Sequence, residues 1–294
     1  MSIVDFILNL AGLLLWLNWR SIRFDPLARR TPATLMGTLR PASPKKMRRW
    51  HLLALLAGLL FLRAVLYRWM APFWVGALDL GVVAPTFRSD WFAGMLAFSY
   101  LSFGVALGIF YVGLLFLSLL SGPEPIHGLV KIPLGRVDNW PRWAKILFPF
   151  LLTATAWFAL SWPLGWMQNL SASMTLRIEQ SVVIGLASYQ VWKFPAVAIL
   201  VLHLLGSYIY FGRHPFWKYV NTTGQKILTP LKKIPLRLGR MDFAPVVGLI
   251  LIFLFVHFAV HGYKTPERTG KNGAPLRPLI HIYGLVEIYR SLPF

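Results

Sequence analysis

KIPLGRVDNWP, residues 131–141, returns as KIPLRLGRMDFAP, residues 233–245, with two residues inserted. Both copies stand between long apolar runs, so the repeat belongs to whatever those runs build. A helix needs about 20 mostly apolar residues to cross a bilayer core. Six runs qualify, roughly 3–19, 51–69, 98–120, 146–165, 194–211 and 243–262. The two copies of the motif stand just ahead of the fourth and sixth runs, where the chain turns back toward the membrane.

The composition agrees with this. In 294 residues, 56% are hydrophobic, the mean hydropathy is +0.58 and only 10 are Asp or Glu, which excludes an ordinary soluble surface. The formal charge of +20 would suit nucleic acid, but in a membrane protein basic residues first mark the loops that face the cytoplasm. The absence of cysteine excludes disulfides, iron–sulfur clusters and thiolate metal sites. No small-residue cleavage site follows the first run and no Lys or Arg precedes it, so a first spanning helix is expected rather than a cleaved signal peptide.

Successive runs pair into hairpins through basic, proline-bearing loops. The first loop runs from Arg20 to Arg49 with Asp25 as its one acid, and the third carries Arg213, Lys218, Lys226, Lys232, Lys233, Arg237 and Arg240 against Asp242. The middle loop is weaker, with Lys131, Arg136, Arg142 and Lys145 against Glu124 and Asp138. The positive-inside rule places all three loops in the cytoplasm and both termini outside. The tail after His261, with Lys264, Arg268, Lys271, Arg277 and Arg290 against two glutamates, pulls the other way, but the larger excess lies in the loops. The linkers 70–97 and 166–193 are semi-apolar, and helices lying in the interface or re-entrant segments both fit them.

The repeat reaches the first hairpin as well. DPLARRTPATLMGTLRP, residues 25–41, aligns without a gap on HPFWKYVNTTGQKILTP, residues 214–230. The expected fold is therefore an all-α membrane protein: six transmembrane helices as three repeated hairpins with basic amphipathic cytoplasmic loops, in units 1–97, 98–193 and 194–294. In the third loop, Phe216, Trp217, Val220, Gly224, Ile227 and Leu228 share a 120° sector of a helix, with Lys218, Thr222, Gln225 and Lys226 outside it, which predicts an interfacial amphipathic helix. Phe216, Trp217, Lys218, Lys226, Lys232 and Lys233 are the candidate contacts for anionic lipid heads or a partner. The repeated motif itself reads as a structural elbow made by Pro133, Gly135, Asp138 and Pro141 and again by Pro235, Gly239, Asp242 and Pro245, the aspartates lying close to where a carboxylate caps the returning helix.

The third hairpin resembles the YggT family of small bacterial and plastid membrane proteins. The matching residues are LTPLKKIP, 228–235, and GRMDFAPVVGLILIFL, 239–254. The likeness covers about 60 residues, extends to the middle hairpin through KIPLGRVDNWP, and reaches the first only through proline spacing, since GTLRPASPKKMRRW lacks the G-x-D-x-x-P return. The family more often carries one or two modules. The resemblance implies no catalytic residue and no cofactor. It implies a role in membrane organisation or assembly, linked in the family to osmotic stress tolerance, to division and envelope gene neighbourhoods, and in plastids to nucleoid distribution and cytochrome maturation.

Other functions are weighed against this. Arg63 lies near a helix end and is expected to snorkel to the interface. His203 and His257 fall about 12 Å and about 21 Å from the cytoplasmic face, so they are not level and do not suit paired axial haem ligation. No nucleophile, base and orienting group assemble into a recognisable order, so an enzyme is not expected. Nucleic acid is not an expected partner, because no nucleic-acid-binding motif accompanies the charge. A protein partner in the cytoplasm or membrane, or a second copy of the chain, fits the loops. The alternative function is a channel or transporter for an ion or small osmolyte, with His203, Ser207, Thr153 and Thr155 as the few polar groups available in the spans.

Overall fold

The computed structural model describes residues 3–21, 49–70, 76–87, 89–120, 133–168, 173–209, 215–233, 237–238, 241–264 and 281–292. Among these, six segments are long and apolar enough to cross a membrane: Ile3–Arg20, Trp50–Trp69, Phe92–Leu120, Arg142–Gly165, Met174–Tyr208 and Ala244–His261. The protein is an all-α integral membrane protein, as expected. The first-loop copy of the repeat, residues 25–41, lies outside the described residues.

The chain folds as two units, one made of Met1–Asp79, Ala84–Phe110 and Lys131–Gly135, the other of Leu80–Val83, Tyr111–Val130 and Arg136–Phe294. The first unit is built from α1 (Ile3–Ser21), α2 (Arg49–Trp69) and the first part of α3 (Phe92–Leu120). Helices α1 and α2 run antiparallel, since Asp5 meets Arg63 while the backbone at Gly12 approaches Leu56. Leu56, Leu60 and Phe103 form the apolar core, with Leu15, Trp16 and Leu107 against it. A short hairpin of β1 (Gly76–Ala77) and β2 (Thr86–Phe87) precedes α3, which starts at Phe92 rather than 98.

Helix α2 gives the unit its depth scale. Trp50 and Trp69 are 78% and 83% exposed at its two ends. Nineteen residues apart, they stand about 29 Å apart along the axis. That matches a hydrocarbon core of about 30 Å, and tryptophans favour its two boundaries.

The second unit holds α4 (Arg142–Gln168), α5 (Met174–Ala187), α6 (Lys193–Tyr208), α7 (Pro215–Ile227) and α8 (Ala244–His261). Helix α5 runs antiparallel to α4: Arg177 lies over the Trp162 ring at 4.5 Å, while the Tyr189 hydroxyl donates to the Ile146 carbonyl at 2.8 Å. Gly185 permits this approach, because a Cβ there would stand 2.8 Å from the Phe150 ring and 3.1 Å from Ala154. On α4 the exposed Trp143 and Trp162 repeat the spacing seen on α2. Between them Ile146, Leu147, Leu151 and Leu152 are exposed, a lipid-facing stripe.

The second linker, 166–193, becomes α5 and a 3₁₀ turn (Ser188–Trp192) that runs straight into α6. Ala187, Ser188, Trp192 and Lys193 all keep right-handed helical dihedrals, so the fifth candidate span starts at Met174 rather than 194. Arg177, Gln180 and Ser181 lower the apolar signal there. Gln180 and Ser181 are buried, and Arg177 is taken up by Trp162 and Ser161.

Helix α7 runs antiparallel to the second half of α6. Gly206 approaches Trp217 and Asn221, His203 faces Gly224, and Leu200 clusters with Leu228 and Leu231. Part of the apolar face expected at the interface is taken up by α6 instead: Val220 is 1% exposed and Gly224 lies against His203, while Phe216 stays exposed. Helix α8 then packs on the same cluster through Ala244, Val247 and Ile252. Beyond it, β5 (Gly262–Lys264) pairs with β6 (His281–Tyr283) and leads into α9 (Leu285–Ser291). Gly262 has φ +72°, and a Cβ there would collide with the carbonyl of Ile282, so no other residue suits the turn.

Candidate functional site

Among the described residues, the largest concentration of buried polar side chains lies inside the first three helices. On α1, Asp5 and Asn9 stand one turn apart on one face; on α2, Arg63 and Tyr67 do the same; α3 adds Ser99 and Ser102. All are at most 4% exposed. The Arg63 guanidinium donates through Nη2 to Asp5 Oδ1 at 2.7 Å and to Ser102 Oγ at 2.9 Å, and through Nη1 to Asn9 Oδ1 at 2.8 Å. Its Nε donates to the Tyr67 hydroxyl at 3.2 Å, and that hydroxyl donates to Asp5. Asn9 Nδ2 donates to Ser102 Oγ at 3.1 Å, and Ser99 Oγ to the Leu60 carbonyl at 2.7 Å. The rings of Tyr67 and Phe98 lie 5.3 and 5.4 Å from the guanidinium carbon.

Arg63 therefore does not snorkel. Its backbone lies six residues inside Trp69, about 9 Å below that boundary, and its side chain is 0% exposed. The physical reason is that α1, α3 and Tyr67 supply a carboxylate and three neutral oxygens at hydrogen-bond distance, so the charge is solvated by protein instead of water. In the sequence, Asp5 is only part of a flank. The signal that could have found the cluster is the pair of i, i+4 polar couples, Asp5/Asn9 and Arg63/Tyr67, inside otherwise apolar helices. Chemically the cluster joins a carboxylate, a guanidinium and a phenol in one hydrogen-bonded chain at membrane depth.

A second, smaller cluster sits in the other unit at the elbow. Asp138 lies in a 3₁₀ turn (Gly135–Asn139) and is 8% exposed. Ser118 Oγ donates to its carboxylate at 2.6 Å, Lys145 Nζ donates to Ser118 Oγ at 2.7 Å, and the Lys145–Asp138 ion pair measures 3.7 Å. The elbow is thus tied to the end of α3 and the start of α4. Pro133 is buried, Gly135 has φ +60°, and Pro141 is exposed just before Arg142.

In the third copy, Pro245 is buried in the first turn of α8, whose N-cap position is Phe243. Asp242 pairs by its backbone with Arg237, in strands β3 (Arg237–Leu238) and β4 (Met241–Asp242). Pro235 and Gly239 lie outside the described residues, and for Asp242, Lys232 and Lys233 only the backbone is described. On α7, Phe216 and Lys218 are exposed, Trp217 is half-buried against Gly206, and Lys226 donates to the Leu120 carbonyl at the end of α3 at 2.9 Å. His203 Nδ1 lies 3.0 Å from Asn221 Oδ1, and His257 stacks on His261 with ring centroids 4.9 Å apart. Thr153 and Thr155 bond back to carbonyls of their own helix, as does Ser207.

Past α8, Glu287 bridges Lys264 at 2.5 Å and His281 at 3.0 Å. The hydrogen bond from Lys264, with His281 adding to it, holds the Glu287 carboxyl below the usual glutamate range. Burial pushes the nearby Tyr289 hydroxyl up. Comparison with protein-family models, with curated proteins and with solved structures gives no match for this chain.

Proposed function

We propose that the chain is an integral membrane scaffold or assembly factor of the YggT type. It resides in a bacterial plasma membrane, N-out and C-out with its basic loops in the cytoplasm, serves envelope organisation or osmotic stress tolerance, and turns over no substrate. The observation that supports this most is the way Arg63 engages Asp5, Asn9, Ser102 and Tyr67 across three helices. Polar groups joined in that manner tie a bundle together. The exposed basic and aromatic residues of the loops then meet anionic lipid heads and a protein partner or second copy.

A channel or transporter for an ion or small osmolyte is the second reading, and the same cluster favours it. A carboxylate and a guanidinium at membrane depth are costly and are generally kept for function. Purified protein in liposomes separates the two. A scaffold leaves the vesicles as tight as empty ones; ion or osmolyte flux above an unrelated membrane protein would replace the scaffold by a channel. Single cysteines at Lys45, Trp140 and Gln225, introduced into a chain that has none, test the topology. All three should label from the cytoplasm, and labelling of any one from outside would break the three-hairpin arrangement.

A further inference from the structure

We propose that the elbow from Arg136 to Trp143 is a headgroup site for an anionic phospholipid. This rests on the reading that the basic loops meet anionic lipid, and it moves the contact from α7 to the start of α4. Three observations carry it.

The first is depth. Trp143 is 67% exposed and begins the apolar stripe that runs through Ile146, Leu147 and Leu151 on α4. Trp143 therefore sits where hydrocarbon gives way to headgroups. Arg142, also exposed, stands one residue further out, and Trp140 is exposed beyond it with its ring held edge-on by Phe148 at 5.2 Å.

The second is charge segregation. Asp138 is the one carboxylate between Arg136 and Trp143, and it is buried against Ser118 and Lys145. The acid and one lysine neutralise each other inside. Arg136 and Arg142 remain exposed, and neither forms an ion pair with a described acidic residue. The surface is left with two guanidiniums, whose planar donor forks match phosphate oxygens, flanked by indole N–H donors at headgroup level.

The third concerns the rival surface. On α7 the middle of the apolar face is taken up by α6, with Val220 buried and Gly224 against His203, and Lys226 bonds the end of α3. That helix cannot insert its apolar face into lipid without leaving α6.

The test uses the full chain in nanodiscs or mixed micelles, titrated with phosphatidylglycerol or with phosphatidylcholine of the same acyl chains. Binding is read by native mass spectrometry and by thermal shift. The wild type should prefer phosphatidylglycerol, and R136Q/R142Q should lose roughly fivefold in that preference per arginine. The exposed positions make misfolding a poor explanation of such a loss, and R136K/R142K, which keeps the charge, should retain most of the preference. K218Q/K226Q should lose clearly less of the preference than R136Q/R142Q. Equal binding of both lipids by the wild type overturns the proposal, as does a preference that survives R136Q/R142Q or falls further in K218Q/K226Q than in R136Q/R142Q. Flux through liposomes would overturn the scaffold and leave the headgroup preference untouched, so the two failures are distinguishable.

Discussion

Removing one partner of the Asp5–Arg63 pair should open the first unit, whereas removing both should not. At an effective dielectric of about 20, unit charges 2.7 Å apart attract by roughly 6 kcal/mol. Taking the two ions out of water costs several kcal/mol each, so the intact pair contributes little net stability. Asp5→Leu, however, leaves Arg63 at 0% exposure with its charge uncompensated, at a cost of about 3–5 kcal/mol. The Asp5→Leu/Arg63→Met double variant removes both charges and fills similar volume, and should fall within about 1 kcal/mol of wild type or above it. Because the chain folds as two units, a global melting curve is a poor readout. A cysteine at Ala64, 0% exposed in a chain without cysteine, reports the opening of this unit through its thiol-labelling rate. The single variant should label roughly two to more than three orders of magnitude faster than wild type, and the double variant near the wild-type rate. A single variant that labels as slowly as the double would refute the reasoning, since it would mean that Arg63 reaches water on its own.

At the elbow, Asp138→Ala should strand Lys145 and cost about 3–5 kcal/mol, read as lower accumulation in the membrane, and Asp138→Ala/Lys145→Met should recover most of it. Gly262→Ala forces φ +72° on a residue with a Cβ that meets backbone, and should raise protease cleavage after α8 by destabilising the junction of α8 with β5 by at least about 1–2 kcal/mol. Glu287 has a lowered folded pKa, so its contribution is complete above the unfolded glutamate value of about 4.3 and is lost as pH falls through the lower folded value. Hydrogen exchange in β5, β6 and α9, corrected for intrinsic rates, should rise in that acid window for wild type and show no such step in Glu287→Gln.

The apolar runs were legible because a bilayer imposes length and composition on every crossing, and the bounds of five of the six spans lie close to those expected, the start of α3 differing most. The fifth was not, because Arg177 on α5 is taken up by Ser161 and Trp162 on α4, more than about ten residues away in sequence and beyond the reach of any helical period. Helix α7 shows the same loss in reverse: its two-faced pattern was plain, but periodicity records only that one face avoids water. Whether lipid or α6 covers that face depends on Gly206, Gly224 and the His203–Asn221 contact, which are small local features with no pattern of their own. The charged cluster was missed for a related reason. Arg63 taken singly resembles any arginine near a helix end, and only the antiparallel pairing of α1 with α2 brings Asp5 and Asn9 to it.

The spacing of exposed tryptophans on α2 and α4 bears on which bilayers accept this protein. A girdle-to-girdle distance of about 29 Å suits a core of about 30 Å, and is about 3–4 Å short of a sterol- and sphingolipid-rich plasma membrane. In such a membrane both helices would have to stretch their flanks or thin the lipid around them, and tilting would only worsen the shortfall. Hydrophobic mismatch alone would therefore sort the chain toward thinner, sterol-poor membranes, independently of any targeting signal.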